Sequence, residues 1–572
     1  MIKGEYSVSG SEKVLGQVRS LCNVPVLQNV IELNRLCDRC YRIYERSKED
    51  VFNILNEIHG IRESHRYWHT VLGLDVFDLF STVYSRYLYL SGAFSVNDGL
   101  VVPNILPDSY ITPYTLDGLW KIAAEDDVFN IQLYSQASAL LNVGKSHTCE
   151  LLFSEELIEV EKDGATLKDF IRSLFDYRNF GLRSAIACYG LRIPSRKEKF
   201  KLALFSAGKA WPVTSIPGRS LRRLGFTQER DRKSRARFSS LTGDDEIATL
   251  CLRTLQYNLP RIYIEDFDRV RSETQETIKQ HGLPSVIACG TLTPDYKARF
   301  WVAECMREGA TIVGVQHGSL YGDTIFTVWE QYERAYSDFY LTWGWEEHEK
   351  DRPAPAPRLL GFANAKLNTD RLARSKGLLW VTTTSMSTRE FSYPLPPRHE
   401  LLADSTRYDK VGRVFCDTLA PEIREETCIR FKPGDNWTRK QLLEQFPDLT
   451  VDSHGLLQEQ AKDYALAVID HFPSTSFYEL MALGIPTIVL DPKARTMMRT
   501  REDRCLQRLI DVGIIHTCPE TAAKTINKIY GAADEWWRES ERAAAIDSVA
   551  SIFARSSPTG SRELSSFLTS VA

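Results

Sequence analysis

The sequence has no run of about 18 consecutive apolar residues, so no segment is expected to span a bilayer as a helix. Its opening, MIKGEYSVSGSEK, has no apolar stretch behind the first charges; a secretory leader is therefore not expected, and placement in the cytoplasm is. Neither a GxxxxGKS/T loop nor GxGxxG occurs, which argues against P-loop hydrolases and dinucleotide oxidoreductases. Twelve cysteines are scattered along the chain, and the one close pair, Cys37 and Cys40, lacks a second pair or histidines at zinc-finger spacing. Reduced, mostly buried thiols follow, with no metal site. An excess of charge of one sign is also missing. Lys and Arg number 71 against 75 Asp and Glu, a net charge of -4 that gives no whole-molecule attraction to nucleic acid. Internal repeats and low-complexity tracts are absent too.

What is present is an ordinary globular composition, 43% hydrophobic and 26% charged, over 572 residues. That length exceeds one hydrophobic core and calls for two domains. The first 100 residues or so place Tyr, Trp, Phe and Leu at helical spacing, as in VFNILNEIHGIRESHRYWHTVLGLDVFDLFSTVYSRYLYL. From about residue 180 short apolar runs alternate with amphipathic stretches: KLALFSA, IATLCLRTLQYNL, PSVIACG, ARFWVAECMREGA, TIVGVQHG and DFYLTWGW. This alternation predicts an α/β fold with a parallel sheet. DRPAPAPRLLG is stiff and extended, because each proline biases its predecessor away from helix, and reads as an interdomain linker or as the last strand before the second domain. After it the alternation restarts with GLLWVTTTS, CIRFKPGD, YALAVIDHFPSTS and IPTIVLD, and closing helices follow. The predicted domains are residues 1–365, with a helical N-terminal region, and 366–572. A basic stretch through Arg219, Arg222, Arg223, Arg230, Arg232, Lys233, Arg235 and Arg237 reads as a solvated loop, or as a contact for lipid headgroups or an anionic acceptor.

The most informative segment is ALAVIDHFPSTSFYELMALGIPTIVLD. An apolar strand ends at Asp470 and His471, a Pro-Ser-Thr-Ser loop follows, and a helix runs to Gly484. Ligands of open α/β sheets bind at the carboxyl ends of strands. The hydroxyls of Ser474, Thr475 and Ser476 and the open amides of a helix N-terminus suit a phosphate there, and a capped loop without ligand is the alternative. Glu479 would accept from ribose hydroxyls or cap the helix. Arg430 and Lys432 alternate along CIRFKPGDNW, which places both on one strand face as a phosphate clamp or as surface ion pairs. VTTTS at 381–385 follows the first strand of the second domain and offers further amides. In the first domain His317 follows a buried strand beside Gly318, at the crevice or as a structural histidine. Asp338 in YSDFYLTWGW and Glu265 in LPRIYIEDFD are carboxylates that would divide nucleophile and acid/base roles if they met at the crevice, and caps or surface charges if they did not.

Together, HRYWHTVLGLDVFDLFSTVYSRYLYL, LPRIYIEDF, VGVQHGSLYGD, YSDFYLTWGW, IRFKPGDNW and HFPSTSFYELMALGIPTIV resemble the bacterial surface-polysaccharide transferases of O-antigen and capsule loci, a group related to the retaining β-Kdo glycosyltransferases. The resemblance spans residues from about 65 to 490. It implies a GT-B architecture of two Rossmann-like domains, and a donor such as CMP-Kdo or another CMP-activated nonulosonic acid held mainly by the second domain. It further implies double displacement with retention, Asp338 as nucleophile and Glu265 as acid/base. His317 would bind the sugar carboxylate or the CMP phosphate, and Arg430, Lys432, His471, Ser474, Thr475, Ser476 and Glu479 would hold the nucleotide. Neither a metal nor any cofactor beyond the donor is implied. The expected partners are the nucleotide-sugar donor and a glycan acceptor, free or lipid-linked, with peripheral contact at the inner membrane and no nucleic acid. The sequence departs from closer relatives in carrying Gly318-Ser319 after His317 rather than two glycines. Two other readings stay open: a nucleotide-sugar processing enzyme of the epimerase type, and a non-catalytic scaffold that binds a glycan.

Overall fold

The computed structural model describes residues 30–96, 101–115, 127–141, 145–149, 184–213, 216, 230–292, 295–324, 327–365, 377–382, 405–431, 436–497, 499 and 505–572. Two six-stranded parallel sheets organise the chain. The first contains β3 (Ile186–Tyr189), β4 (Ala210–Val213), β5 (Val286–Cys289), β6 (Thr311–Val315), β7 (Phe339–Thr342) and β8 (Asp351–Pro353), in the order β4-β3-β5-β6-β7-β8. The second contains β9 (Leu378–Val381), β10 (Thr427–Arg430), β11 (Thr450–Val451), β12 (Leu466–Ile469), β13 (Thr487–Leu490) and β14 (Ile515–His516), in the order β11-β10-β9-β12-β13-β14. A separate parallel pair, β1 (Val101–Ile105) and β2 (Lys145–Cys149), lies in the N-terminal region. The central strands are short apolar runs buried along their whole length, such as VIAC in β5, LAVI in β12 and TIVL in β13. Strands covered by helices on both faces require that composition. Each sheet reverses its strand order beside its first strand, β3 or β9, and so opens a crevice at its carboxyl edge. This is an α/β, GT-B-like arrangement of two Rossmann-like domains.

The helices used below are α1 (Val30–His59), α2 (Leu74–Val96), α3 (Asp127–Leu141), α4 (Arg196–Phe205), α5 (Glu246–Asn258), α6 (Phe267–His281), α7 (Tyr296–Arg307), α8 (Val328–Tyr336), α9 (Ser405–Thr418), α10 (Thr475–Ala482), α11 (Pro519–Ile529), α12 (Ser540–Phe553) and α13 (Gly560–Ser570). The helical N-terminal region is no separate annex: residues of α1, α2 and α3 share one core with α5, α6 and α7 of the first domain. At its centre Asp75 of α2 pairs with Arg299 of α7 and accepts from the Tyr263 hydroxyl, all three buried. KLALFSA, strand-like as a short apolar run, is the end of α4 and its cap, and IATLCLRTLQYNL is α5 from its second residue through its cap, Leu259. In both segments the buried residues recur at helical spacing.

The chain crosses between the domains twice. DRPAPAPRLLG supplies β8, the edge strand of the first sheet, and then a single turn, Pro357–Leu359, that begins the first crossing. Not all the closing helices stay with the second sheet. After α12, Arg555 donates its amide to the Trp343 carbonyl at 2.8 Å and accepts the Ala356 amide at 2.8 Å, so the two crossings run side by side. Helix α13 then packs on the first domain, with Leu564 and Leu568 in one core with Ile186, Val286 and Val313. Ser561 there donates to buried Glu198 of α4 at 2.6 Å. No described helix is long and apolar enough to cross a membrane.

Candidate functional site

The carboxyl edges of the two sheets face each other at two loops. On the first domain, β6 ends at Val315 and the chain turns through Gln316, His317 and Gly318. Buried Gln316 clamps this turn. Its amide donates to the Gly318 carbonyl at 2.8 Å, and its Oε1 accepts the Trp343 amide at 2.8 Å and the Trp345 indole N–H at 2.9 Å. Leu320 adopts a left-handed φ of 75° without being glycine, the kind of local strain that surrounding contacts must hold in place. The turn delivers the Tyr321 hydroxyl to 2.8 Å from His317 Nδ1. Glu333 of α8 stands behind this pair, with Oε1 at 3.3 Å from His317 Nδ1 and hydrogen bonds from Tyr321 at 3.1 Å and Tyr340 at 3.0 Å. Burial pushes the Glu333 carboxyl above its ordinary range, while His317 and the two hydroxyls oppose that rise. His317 is thus oriented through Nδ1, and its Nε2 makes no hydrogen bond among the described residues.

On the second domain, β12 runs out at Ile469 and a cis Phe472–Pro473 bond precedes α10. The N-cap is Ser474, whose hydroxyl makes no capping bond, so the first amides of α10 remain open to a ligand. Thr475 Oγ1 accepts the Ser319 amide from across the crevice at 2.9 Å and lies 3.1 Å from Ser319 Oγ. One turn on, the Tyr478 hydroxyl donates to Asp323 Oδ2 at 2.8 Å. A methyl group at Gly318 would approach Thr475 Oγ1 to 3.0 Å, so the small residue keeps the two loops in contact. His317 is thereby set beside the N-terminus of α10.

The other expected residues divide. Ser476 is half-buried in the first turn of α10. His471 is half-buried 3.8 Å from Asp491, and desolvation holds its imidazole below the usual range while Asp491 opposes that. Glu479 is buried too, but it faces Arg358 of the crossing segment in an ion pair that joins the domains. Burial raises its carboxyl and Arg358 opposes that. Arg430 is turned into its own domain, with its guanidinium bonded to Gln460 and to the carbonyls of His454 at 2.9 Å and Gly455 at 3.0 Å. Lys432, residues 383–385 of the VTTTS loop, and Arg219, Arg222 and Arg223 of the basic stretch lie outside the described residues.

The two proposed carboxylates do not meet. Asp338 precedes β7 at the amino edge of the first sheet. There its amide donates to the Ile312 carbonyl and its Oδ2 accepts the Ile312 amide, both at 2.8 Å, while Arg66 pairs with it at 2.8 Å. Ile312 and His317 are separated by most of β6, about 15 Å at roughly 3.3 Å per residue. Glu265 lies in the helical layer, locked in a buried two-pronged pair with Arg235 at 2.6 and 2.8 Å, and it also accepts the Asp231 amide at 3.0 Å. Arg235 and Arg230 of the basic stretch thus serve the fold: Arg235 holds Glu265, and Arg230 donates to the carbonyls of Pro107 and Asp108. Among the described residues no group of three or more His, Cys, Asp or Glu is arranged to hold a metal ion. Cys37 and Cys40 are fully buried.

Sequence reasoning missed Glu333, Asp323 and Arg358. Glu333 lies sixteen residues beyond His317 on an amphipathic helix, and only the packing of α8 beneath β6 and β7 reveals it.

With this geometry in view, the sequence pattern described as LIC12162 family transferase matches residues 9–568, and the chain belongs to that family. No protein among curated relatives matches it. Solved structures similar to it include the wall teichoic acid polymerase TagF, at 15% identity and a TM-score of 0.33 over 55% of this chain and 76% of that one. The glycosyltransferase SnogD from Streptomyces nogalater aligns at 12% identity and a TM-score of 0.34 over 68% and 98%. An O-GlcNAc transferase mutant from Thermobaculum terrenum aligns at 12% identity and a TM-score of 0.33 over 98% of both chains. Likenesses this loose do not by themselves fix a fold or an activity.

Proposed function

We propose that this LIC12162-family transferase is a glycosyltransferase that moves a sugar from a nucleotide donor to an acceptor hydroxyl in the crevice between its two domains. The observation that carries the reading is the contact of Ser319 with Thr475, which puts His317 beside the open N-terminus of α10. The donor phosphates sit at that N-terminus, held by the amides of α10 and the hydroxyls of Ser474 and Ser476. There the helix dipole stabilises the charge that develops as the nucleotide departs. His317 Nε2 takes the proton of the acceptor hydroxyl, and Tyr321 and Glu333 behind Nδ1 fix the ring and stabilise the imidazolium that forms. A CMP-activated nonulosonic acid such as Kdo as donor, and a place in surface-polysaccharide assembly, rest on the resemblance in the sequence.

That resemblance also carries retention by double displacement through Asp338 and Glu265. Carboxyl groups that share one reaction centre in this way stand about 5 Å apart in retaining glycosidases, and the positions of these two favour a single displacement aided by His317 instead.

The test is thermal stabilisation of the full chain by CMP, UDP, GDP and ADP, and then by CMP-Kdo. Saturation with the right nucleotide is expected to add about 2 to 3 kcal/mol. His317→Gln is expected to keep that shift while transfer falls by about 10² to 10⁴. Preference for UDP or GDP would remove the proposed donor, and no shift with any nucleotide would refute the glycosyltransferase.

A further inference from the structure

A cavity of about 310 Å³ opens at the carboxyl ends of β3, β4 and β5, on the first domain. Its walls include Tyr189, Pro212, Val213 and Leu202, and its two charged residues are Arg192 and Lys199; no carboxylate lines it. The absence of partners distinguishes these two cations. Their neighbours are neutralised, Lys201 by Glu198 and Arg358 by Glu479. Neither the Arg192 nor the Lys199 side chain makes a hydrogen bond or ion pair among the described residues. Desolvation, with Arg358 adding to it, holds the Arg192 guanidinium below its ordinary range, although Tyr321, Glu333 and Glu479 oppose that shift. Two unpaired cations converging on one pocket match a group with two or more anionic oxygens.

Lys199 belongs to α4, and the rest of that helix indicates where such a group comes from. Its inward face carries Glu198, Leu202 and Ala203, which are buried. Its outward face leaves Phe200 64% exposed and Leu204 61% exposed, four residues apart and so on one side of the helix, with Phe205 at 40% beside them. Among the described residues these are three of only seven large apolar side chains left exposed. Arg196, Lys197 and Lys209 are exposed around them, while the one acid of the helix, Glu198, points inward. An aromatic and aliphatic tip ringed by cations matches the boundary of an anionic bilayer.

We propose that α4 rests on an anionic lipid surface and that the pocket behind it takes the phosphate of a lipid-linked acceptor, with Arg192 and Lys199 as its ligands. This rests on the glycosyltransferase reading, because the anchored group is taken to be the acceptor's. In that arrangement the acceptor lies along the carboxyl edge of the first sheet from β3 toward β6, with its hydroxyl at His317.

The test uses the full chain, with and without the nucleotide that stabilises it most. Glycerol 3-phosphate is titrated by calorimetry, and sedimentation is followed with vesicles of phosphatidylglycerol and phosphatidylcholine and with vesicles of phosphatidylcholine alone. Glycerol 3-phosphate is expected to bind whether or not nucleotide is present, and Arg192→Gln and Lys199→Gln are each expected to weaken it at least about tenfold. Anionic vesicles should carry the protein down and neutral ones should not. The double variant Phe200→Ser/Leu204→Ser should lose the vesicles and keep glycerol 3-phosphate. Unchanged melting temperatures of these surface variants establish that they are folded. Phosphate binding that nucleotide abolishes, or that ignores both cations, would overturn the pocket. Sedimentation that ignores Phe200 and Leu204 would overturn the docking face, and free phosphate binding without any vesicle binding would overturn the lipid source. Nucleotide stabilisation in the same samples reports separately on the glycosyltransferase reading.

Discussion

Asp323 is the group through which pH should act on the contact between the domains. Its carboxylate is fully buried, Oδ2 accepts from Tyr478 of α10, and Oδ1 has no hydrogen-bond partner among the described residues. Burial pushes its pKa up to about 7 from 3.8, with Glu330 adding to the rise, while the Tyr478 hydroxyl and Arg499 oppose it. The folded protein therefore holds a proton that the unfolded chain releases near pH 4. Between about pH 4 and 7 the unfolded state binds fewer protons than the native one, so stability falls as pH rises through that window and levels off above it. The difference between 3.8 and about 7 is 3.2 units. At about 1.36 kcal/mol per unit this sets a ceiling of about 4 kcal/mol on the loss. Asp323→Asn keeps the shape and an acceptor for Tyr478 but cannot ionise. Urea unfolding followed by tryptophan fluorescence should show the variant more stable than the parent by about 1.5 kcal/mol near pH 5, where part of the loss has already occurred, and by about 4 kcal/mol near pH 8. An equal difference at the two pH values, or a variant less stable near pH 8, would refute a buried, protonated Asp323.

Three substitutions test the remaining assignments. Asp338→Ala removes an accepted amide bond at the amino edge of the first sheet and should cost about 1 kcal/mol of stability while transfer stays within a few-fold; abolished transfer in a folded variant would restore the double displacement. Arg235→Met leaves Glu265 buried without its cation and should cost about 3 to 5 kcal/mol in chemical denaturation, with nucleotide affinity unchanged. Adding Glu265→Gln should recover much of that loss, and no recovery would show that the pair is not the cause. Gly344 has φ +131°, and a Cβ there would stand 2.3 Å from the Ser551 carbonyl of α12. Gly344→Ala should therefore lower stability by at least about 2 kcal/mol, and an unchanged melting temperature would contradict this close approach of α12 to the first sheet.

The sequence by itself determined the alternation of apolar runs and amphipathic stretches, and with it two parallel sheets, because strands covered on both faces must be apolar along their length. It also marked the turns after β6 and β12, since polar residues that abruptly end a buried strand fall at its carboxyl edge. His317, Ser474, Thr475 and Ser476 were legible for that reason. What it left undetermined were the partners of each charge. Asp338 and Glu265 looked alike in one dimension, each an acid beside an aromatic segment. Only the tertiary structure puts Asp338 at the amino edge of β7 and pairs Glu265 with Arg235, thirty residues away in the chain. The same applies to Arg430, whose guanidinium is taken up by carbonyls of a loop 24 and 25 residues on. It applies equally to Glu333, which reaches His317 only because α8 packs against the sheet, and to α13, whose apolar face closes the first domain after the chain has crossed back from the second. Periodicity reports which side of an element is buried, but it cannot report what the other side meets. That depends on contacts between residues far apart in the chain, which are fixed only when the two domains pack.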